Sequence, residues 1–488
     1  MKLLAVGSDL GELRRLLRQL EATIEGASPP STEALLSQKG LSDLFKTRVA
    51  RPDGSEASVF GLAGLIDPST LERDVLRPLQ TLSATPAEVL PQVFRVRSID
   101  EARRLMIGGA AIVISGKVAW ACRVGGYPKR QIDVPDTERA IFGPKDAFIE
   151  DLDTNVGLLR RQLPDPDLMV DRLTLGTKVA RKGVLIHIAG VADPSAVEAV
   201  AGRLKARQTP RVGFISSLVP MLLGPQVNPF VRAEFTERPA RVAMQLVRGK
   251  IALLLDGSPF AMVVPHTIAD TFTDDETSFP SPLVRLFVRF IRVIALAAAT
   301  FLPGLYVAVL SVNPVVLPGL LALQVAFDRS TIPYPVVTET FILLLVLDVL
   351  SESTISMKAV LGPAISIVGS IIIGEAAVRA DLASNLSVIL VAVTALGTFI
   401  TPWFTSSYAY RLWKYPILLF SAAMGIAGWA LGILFMMAAL VGERSLGMSY
   451  LTPVTPLLPV RAAALATSGP AREAHRTIVA GLGVEGPP

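Results

Sequence analysis

The chain has 488 residues, of which 51% are hydrophobic and 18% are charged, and its formal net charge is +5. This small, interspersed excess of positive charge gives no indication of a nucleic-acid-binding surface. A single cysteine, Cys122, excludes a disulfide framework or a zinc cluster within the chain and is consistent with a reducing compartment.

The charged residues divide the chain into two unlike halves. Residues 1–285 hold 36 Lys+Arg and 33 Asp+Glu, whereas residues 286–488 hold only 11 and 9. The first half is therefore predicted to be soluble and the second to be a membrane domain. The N-terminus, MKLLAVGSDLGELRRLLRQLE, lacks the apolar core and the small-residue cleavage site of a signal peptide. We therefore expect the soluble half to be cytoplasmic.

The soluble half is predicted to have a mixed α/β (α+β) fold in two subdomains. A helical, partly disordered leader over residues 1–40 precedes subdomain 1 over 41–163 and subdomain 2 over 164–284. Strand and helix patterns alternate in both, and Asp67 or Ser69 is a candidate helix cap. The predicted helices are Asp74–Leu79, Ile99–Leu105, one that follows Gly143-Pro144 within Phe142–Leu163, and Pro194–Lys205; the predicted strands are Ala57–Ile66, Leu173–Lys178, Gly183–Ala189, Ile251–Leu255 and Phe260–Val264, with a hairpin over Gly108–Cys122.

Residues 285–442 are predicted to form an all-α, multi-pass membrane domain of four to five spans, followed by a loosely ordered tail over 443–488. The span candidates are Val293–Leu310, Val360–Val378, Leu386–Ile400 and Tyr415–Val441, the last being the longest. Val315–Phe327 is apolar but short and contains Pro318, which favours a re-entrant or interfacial segment. The positive-inside rule puts Arg285, Arg289 and Arg292, and likewise Arg411 and Lys414, on the cytoplasmic side.

The helix predicted over Pro335–Ser353 carries three acids at membrane depth. Glu339 and Glu352 would lie roughly 20 Å apart along its axis, which is less than the roughly 30 Å hydrocarbon layer. Asp348 and Glu352 share a face because they are four residues apart, whereas Glu339 faces the opposite way from Asp348. One pore-facing stripe therefore cannot hold all three acids.

Four membrane acids are candidate pore or gating residues: Glu339, Asp348, Glu352 and Glu375. Each has an alternative, structural interpretation. Glu339 lies one turn into its helix and could act as a cap, since a carboxylate gains from the N-terminal helix dipole. Asp348 and Glu352 could mark an interfacial helix end. Glu375 and Arg379 are spaced for an ion pair within one helix.

The sequence shows no recognisable active site. His187, His266 and His475 are isolated and match no metal-binding spacing. The chain lacks a G-x-x-x-x-G-K-[ST] phosphate loop and a G-x-S-x-G nucleophile elbow. We therefore expect a protein that is not an enzyme and that uses no cofactor.

Motifs that occur in a fixed order carry a resemblance to a known family. In the soluble half they are Gly64–Asp67, Asp74–Leu79, Phe142–Arg161, Asn228–Phe230, Thr236–Pro239 and Gly249–Pro265; in the membrane half they are Ile332–Pro335 followed by Glu339, Ile365–Gly369, Ile373–Gly374 and Ser449–Pro453. Each motif is weak alone, but the ordered set is specific. From about Gly40 to about Pro456 the chain resembles the A subunit of spore germination receptors, the GerA family, including its SpoVAF-type paralogues.

The resemblance marks ten positions of the soluble half as family motif residues: Gly143, Pro144, Asn155, Arg160, Arg161, Glu237, Arg238, Pro239, Asp256 and Gly257. It implies a multi-pass protein of the spore inner membrane whose N-terminal region faces the spore core. The implied partners are the lipid bilayer, a transporter-like B subunit that binds the nutrient, and a lipoprotein C subunit. The implied function is a nutrient-gated cation channel formed by a ring of five copies.

Two other functions remain open from the sequence. One is a non-conducting scaffold that docks the nutrient-binding subunit. The other is a secondary transporter, although the hydrophobic pattern shows no internal repeat. The chain also departs from the family pattern near the acidic helix: Leu343-Leu344 stands where members carry a further acid, Ser351 replaces an arginine, Asp328–Thr331 replaces an Arg-Glu-Gly lead, and Arg379 replaces an acid. We therefore expect its conductance or selectivity to differ from that of typical members.

Overall fold

The computed structural model describes residues 42–82, 85–91, 93–116, 118–126, 144–207, 209–226, 228–272, 281–356, 372–399 and 404–452. It separates into two compact units. Unit 1 comprises Met1–Leu222 and Phe235–Val264, and unit 2 comprises Leu223–Glu234 and Pro265–Pro488. The predicted leader, most of the predicted tail, Gly143 and much of the span predicted over Val360–Val378 lie outside the described residues.

The first half of unit 1 is built on a five-stranded antiparallel sheet with the order β1-β2-β4-β5-β3. Its strands are β1 (Leu44–Ala50), β2 (Glu56–Leu62), β3 (Val93–Val96), β4 (Ala110–Ser115) and β5 (Val118–Arg123). Its helices are α1 (Pro68–Leu71), α2 (Arg77–Thr81), α3 (Pro86–Val89) and α4 (Ile99–Ile107), with a π-turn over Glu72–Leu76 between the first two. Asp67 is the capping residue of α1, because its carboxylate accepts the Ser69 N–H at 3.0 Å.

The second half of unit 1 contains another five-stranded sheet, with the order β6-β7-β9-β10-β8. Its strands are β6 (Leu168–Leu175), β7 (Arg181–Ile188), β8 (Glu234–Thr236), β9 (Ile251–Leu255) and β10 (Ala261–Val264). The helices are α5 (Leu152–Gln162), α6 (Pro194–Ala206), α7 (Leu218–Leu223) and α8 (Pro239–Val247). Helices pack against both sheets, which confirms the predicted α/β class of the N-terminal region.

The helix predicted to follow Gly143-Pro144 within Phe142–Leu163 is wrong in its start, because α5 begins only at Leu152. Two side chains hold the preceding segment extended. The Asp151 carboxylate caps α5 by accepting the Thr154 N–H at 2.8 Å. The buried Asn155 amide accepts the Ile149 N–H at 2.8 Å and donates to the Ile149 carbonyl at 2.5 Å. These bonds occupy backbone groups that an additional helical turn would need.

Cys122 lies in the sheet of the first half, is fully buried and donates to the Pro91 carbonyl at 3.1 Å. Burial raises the pKa of its thiol to about 11, and the nearby Asp74 carboxylate adds to the shift. Because the thiolate is the reactive form, we expect Cys122 in the folded protein to react with a thiol reagent at pH 8 roughly 100-fold more slowly than a free cysteine. Stopped-flow labelling, with the denatured chain as control, measures this; equal rates before and after denaturation would contradict it.

Unit 2 is mainly helical. Its helices are α9 (Ile268–Phe272), α10 (Pro282–Val307), α11 (Gly319–Asp328), α12 (Val336–Ser356), α13 (Asn385–Phe399) and α14 (Phe404–Gly442), together with helical residues 372–379. A short ribbon, β11 (Arg444–Ser445) and β12 (Met448–Ser449), follows in the region predicted to be a loose tail. Within the part of the chain that the structure describes, two stretches, Leu283–Val312 and Ser407–Gly442, are long and apolar enough to cross a membrane.

Helix α14 is a hairpin, so the single span predicted over Tyr415–Val441 is wrong. The helix breaks at Gly425, which has φ 63° and ψ −137°. The rings of Trp413 and Phe435 lie 5.6 Å apart between centroids, whereas 22 residues of straight helix would separate them by about 33 Å. The arms 404–424 and 426–442 therefore lie side by side in opposite directions. Each is about 25–30 Å long, which is close to the hydrocarbon thickness.

The hairpin turn depends on Gly425 and Asn313. A residue with a side chain rarely adopts the backbone angles of Gly425. The Asn313 side-chain oxygen accepts the Ile426 N–H at 2.9 Å and so caps the second arm. A glycine within an uninterrupted apolar run gives little warning of such a break, which is why the sequence pattern predicted one continuous helix.

Close packing of the two arms requires a glycine at position 428. A Cβ atom there would lie 1.9 Å from the Phe420 carbonyl oxygen of the opposite arm. Because that oxygen belongs to the backbone and cannot rotate away, we expect Gly428→Ala to destabilise unit 2 by about 1–3 kcal/mol. The matched control is Gly442→Ala at the end of the same helix, where a Cβ would meet nothing within 4 Å. Thermal unfolding in detergent compares them, and equal stability of the two variants would contradict the hairpin.

Candidate functional site

The candidate site is formed by the acids of α12 and their partners in unit 2. Glu339 lies in the first turn of α12, while Asp348 and Glu352 lie in its second half. The intervening Leu344 is buried against Val307 and Leu418, so this face of α12 packs within the helical bundle. The acids therefore lie at two separate positions along one packed helix.

Glu339 joins two loops of unit 2. Its side chain is fully buried, and one carboxylate oxygen lies 2.5 Å from Arg329 Nη1 at the end of α11. The other oxygen accepts the backbone N–H of Ser384, which directly precedes α13, at 2.7 Å. Both oxygens are therefore engaged inside the protomer, and the charge of Glu339 is compensated by Arg329. This arrangement stabilises the bundle and leaves the carboxylate with little capacity to attract a mobile ion.

Asp348 connects α12 to the first arm of the hairpin. One of its oxygens accepts from Lys414 Nζ at 2.9 Å and from Arg411 Nη2 at 3.1 Å. The other accepts from the Tyr415 hydroxyl at 2.5 Å. The Lys414 side chain is only 1% exposed and that of Arg411 is 9% exposed. A single carboxylate therefore compensates two nearly buried cations.

Glu352 differs from the other two acids of α12. It is exposed and accepts a hydrogen bond from the Tyr408 hydroxyl at 3.0 Å. None of the ion pairs formed among the described residues includes Glu352. Glu352 is therefore an exposed acid that no cation of these residues neutralises.

Glu375 lies in the helical residues 372–379 and faces Arg379, whose Nη2 is 2.5 Å from Glu375 Oε1. Both side chains are largely exposed, at 58% and 78%. An exposed ion pair of this kind contributes little to stability. Among the four candidate acids, only Glu352 combines exposure with the absence of a cationic partner among the described residues.

The positive-inside rule predicts that Arg411 and Lys414, in the first arm of the hairpin, mark the cytoplasmic face. The structure instead buries Arg411 and Lys414 against Asp348. Their charges are used inside the bundle and are not presented to lipid headgroups, so they do not support an orientation by the positive-inside rule. Their partner Asp348 is more than 60 residues away in the sequence, and no spacing pattern could have identified it.

Several of the described family motif residues of unit 1 form hydrogen bonds to the segment 144–150, which precedes α5. Arg238 Nη2 donates to the Pro144 carbonyl at 2.8 Å, and the Glu237 carbonyl accepts the Phe148 N–H at 2.7 Å. Gly257 donates its N–H to the Glu150 carbonyl at 2.8 Å. The remaining members lie in or beside the same elements: Asn155, Arg160 and Arg161 in α5, Pro239 at the start of α8, and Asp256 before Gly257. Their contacts assign these residues to the architecture of unit 1.

Arg160 makes the most buried of these contacts. Its guanidinium pairs with Asp43 through two bonds, Nε to Oδ2 at 2.7 Å and Nη2 to Oδ1 at 2.8 Å. Both side chains are 2% exposed. Arg161 pairs with Asp146 nearer the surface. Sequence reasoning missed Asp43, because it lies 117 residues from its partner.

A second buried polar cluster in unit 2 was also missed. Arg232 Nε lies 3.1 Å from Glu443 Oε1, and Asn228 Nδ2 donates to the other Glu443 oxygen at 2.8 Å. Phe230 packs among the rings of Tyr410, Trp413 and Tyr450. The motif Asn228–Phe230 therefore attaches the segment 223–234 to the base of the hairpin.

Known proteins that are similar to this chain include spore germination proteins and a membrane protein. The family model described as Bacillus/Clostridium GerA spore germination protein matches residues 35–474. Spore germination protein KA of Bacillus subtilis (strain 168) is 29% identical over 84% of this chain and 78% of its own length. The uncharacterized membrane protein YfkQ of the same organism is 27% identical over 91% of this chain and 90% of its own.

One solved structure is also similar in part. It is the crystal structure of the N-terminal domain of the A subunit of the Bacillus megaterium spore germinant receptor GerK3. It aligns with 21% sequence identity and a TM-score of 0.37, covering 49% of this chain and 96% of the solved chain.

Proposed function

Because the chain belongs to the GerA family of spore germination proteins, we propose that it is the A-type membrane subunit of a germination receptor and that its copies assemble into a nutrient-gated cation channel. The family assigns the chain to spore germination. Its two long apolar stretches and its similarity to a membrane protein agree with a membrane location. The channel activity, the assembly into a ring and the partner subunits are our proposal.

Glu352 is the observation that supports a channel best. It is exposed, and none of the ion pairs among the described residues involves it. In a ring of identical copies, each protomer would contribute one such carboxylate. A ring of carboxylates raises the local concentration of cations at a pore mouth and favours their passage over that of anions. Glu339 and Asp348 would then hold the helices that position Glu352.

The proposed complex contains a transporter-like B subunit that binds the nutrient and a lipoprotein C subunit. The ring has five copies, lies in the spore inner membrane and directs its N-terminal region towards the spore core. Binding of nutrient to the B subunit would favour an open arrangement of the ring over a closed one. The chain itself performs no catalysis in this scheme and needs no cofactor.

A second function, a non-conducting scaffold that docks the B subunit, is supported by a different observation. Glu339, Asp348 and Glu375 all pair with cations of the same protomer. Ion pairs within one protomer stabilise the helical bundle, and a scaffold needs this stability as much as a channel does. In this case Glu352 would be an ordinary polar residue at a membrane surface.

Ion flux from liposomes separates the candidates. The full chain is reconstituted, its assembly is checked by cross-linking, and K⁺ or Na⁺ release is followed with an ion-sensitive dye, alone and with the B and C subunits plus nutrient. Cation release that depends on nutrient supports the channel. Release absent from a well-assembled ring with its partners supports the scaffold, and solute-dependent counterflow supports a secondary transporter.

A further inference from the structure

A basic patch with an exposed aromatic residue lies at one edge of the second sheet of unit 1. The turn between β6 and β7 pairs with the segment before α7. Lys178 and Val179 both donate their N–H groups to the Pro210 carbonyl at 3.0 Å, and Val179 and Arg211 form a parallel bridge. Arg181 Nη1 donates to the Gly213 carbonyl at 3.0 Å. These bonds fix the turn and the segment as one surface.

The side chains on this surface point into solvent. Phe214 is 76% exposed, the highest value for a large hydrophobic residue among the described residues of unit 1, and Val179 is 50% exposed. Four exposed cations lie in the same stretches of chain: Lys178 in the β6–β7 turn, Lys182 near the start of β7, Arg207 after α6, and Arg211 beside Val179. These six residues constitute the basic patch. A largely exposed phenylalanine close to several cations indicates a binding surface.

The patch has a strong excess of positive charge. Arg207 donates to the Met221 carbonyl at 3.4 Å, but none of the four cations forms an ion pair among the described residues. Asp256 is an acid next to these residues, because its N–H binds the Lys182 carbonyl at 2.9 Å. The complementary ligand is therefore anionic, and it also accommodates an apolar side chain.

We propose that the basic patch docks on the anionic headgroups of a phospholipid bilayer. Dispersed lysine and arginine beside an aromatic side chain match a membrane interface, where cations meet phosphates and the ring enters the headgroup layer. The two apolar stretches of unit 2 tether unit 1 to a bilayer, so weak individual contacts act at high local concentration. This docking is independent of the channel proposal.

Lipid quenching in nanodiscs tests the docking on the full chain. A polarity-sensitive dye is attached to Ser216→Cys, an exposed position two residues from Phe214, while the buried Cys122 remains unlabelled. We expect brominated phosphatidylglycerol to quench this dye at least about threefold more than brominated phosphatidylcholine, and the difference to fall at high salt. Dye at Thr81→Cys, an exposed site in the other half of unit 1, should show no preference.

Charge reversal tests the role of the cations. Lys178→Glu with Arg211→Glu is expected to abolish the preference for phosphatidylglycerol. The same change of charge at two exposed arginines outside the patch, Arg48→Glu with Arg104→Glu, should leave it intact. Equal quenching by both lipids, or a preference that survives reversal at the patch, would overturn the proposal. Binding of an acidic protein to the patch without lipid quenching would also overturn it.

Discussion

Replacing Asp348 with asparagine is expected to destabilise unit 2 by about 3–5 kcal/mol, the usual cost of removing one partner from a buried ion pair. The reason is that the substitution leaves an excess of buried positive charge. Lys414 and Arg411 are nearly buried and depend on this one carboxylate. Asparagine preserves the shape and an acceptor oxygen but leaves two cations without a counter-charge. Thermal unfolding of the detergent-solubilised chain measures the loss.

Two further variants test whether the loss of stability comes from the buried ion pairs of Asp348. Glu375→Gln removes an acid from the exposed pair with Arg379 and should change stability by less than about 1 kcal/mol. The double variant Asp348→Asn with Lys414→Met should recover part of the lost stability, because one buried charge is removed together with its partner. If Asp348→Asn is as mild as Glu375→Gln, Asp348 does not compensate the hairpin cations.

Replacing Arg160 with methionine is expected to destabilise unit 1 by a similar amount, about 3–5 kcal/mol. The two bonds from Arg160 neutralise Asp43 where both side chains are 2% exposed. Without them, the Asp43 carboxylate would remain buried without a counter-charge. Asp43 directly precedes β1 and Arg160 lies in α5, so we expect the loss to separate these elements.

Hydrogen exchange of peptides from β1 and α5 in the full chain reports on this separation. Exchange in both should accelerate in Arg160→Met. The control is Arg172→Met, whose pair with Asp153 spans 2.6 Å but is 37% and 52% exposed. Exposed pairs contribute about 0.2–1 kcal/mol, so the control should retain nearly normal protection. Similar exchange rates in the two variants would show that the buried pair of Arg160 and Asp43 stabilises unit 1 no more than the exposed pair does.

Local patterns predicted several of the regular elements. The observed β9 has the predicted bounds, Ile251–Leu255, and α13 over Asn385–Phe399 nearly matches the predicted Leu386–Ile400. Such segments depend on apolar periodicity and turn residues, which are visible within a few residues of chain. The mixed class of the N-terminal region followed from the same patterns.

Long-range contacts determined what the sequence could not show. The carboxylate of Asp348 meets residues of the 411–415 stretch only because the bundle brings α12 and the hairpin together. The break at Gly425 depends on Asn313, which lies 113 residues from the capped Ile426. Glu339 and Asp348 have different cationic partners, as their helical spacing predicts, but spacing does not distinguish Asp348, which is paired with cations, from the exposed Glu352.

In the proposed channel, Glu352 is the acid that faces a permeating cation. Recordings of the assembled protein in planar bilayers test it through the reversal potential in a salt gradient. Glu352→Gln is predicted to lower cation conductance severalfold and to move the reversal potential towards zero, because the acidic ring is lost. Glu375→Gln, which removes an exposed acid already paired with Arg379, is predicted to leave both unchanged. Unaltered selectivity in Glu352→Gln, or an equal loss in Glu375→Gln, would contradict the claim.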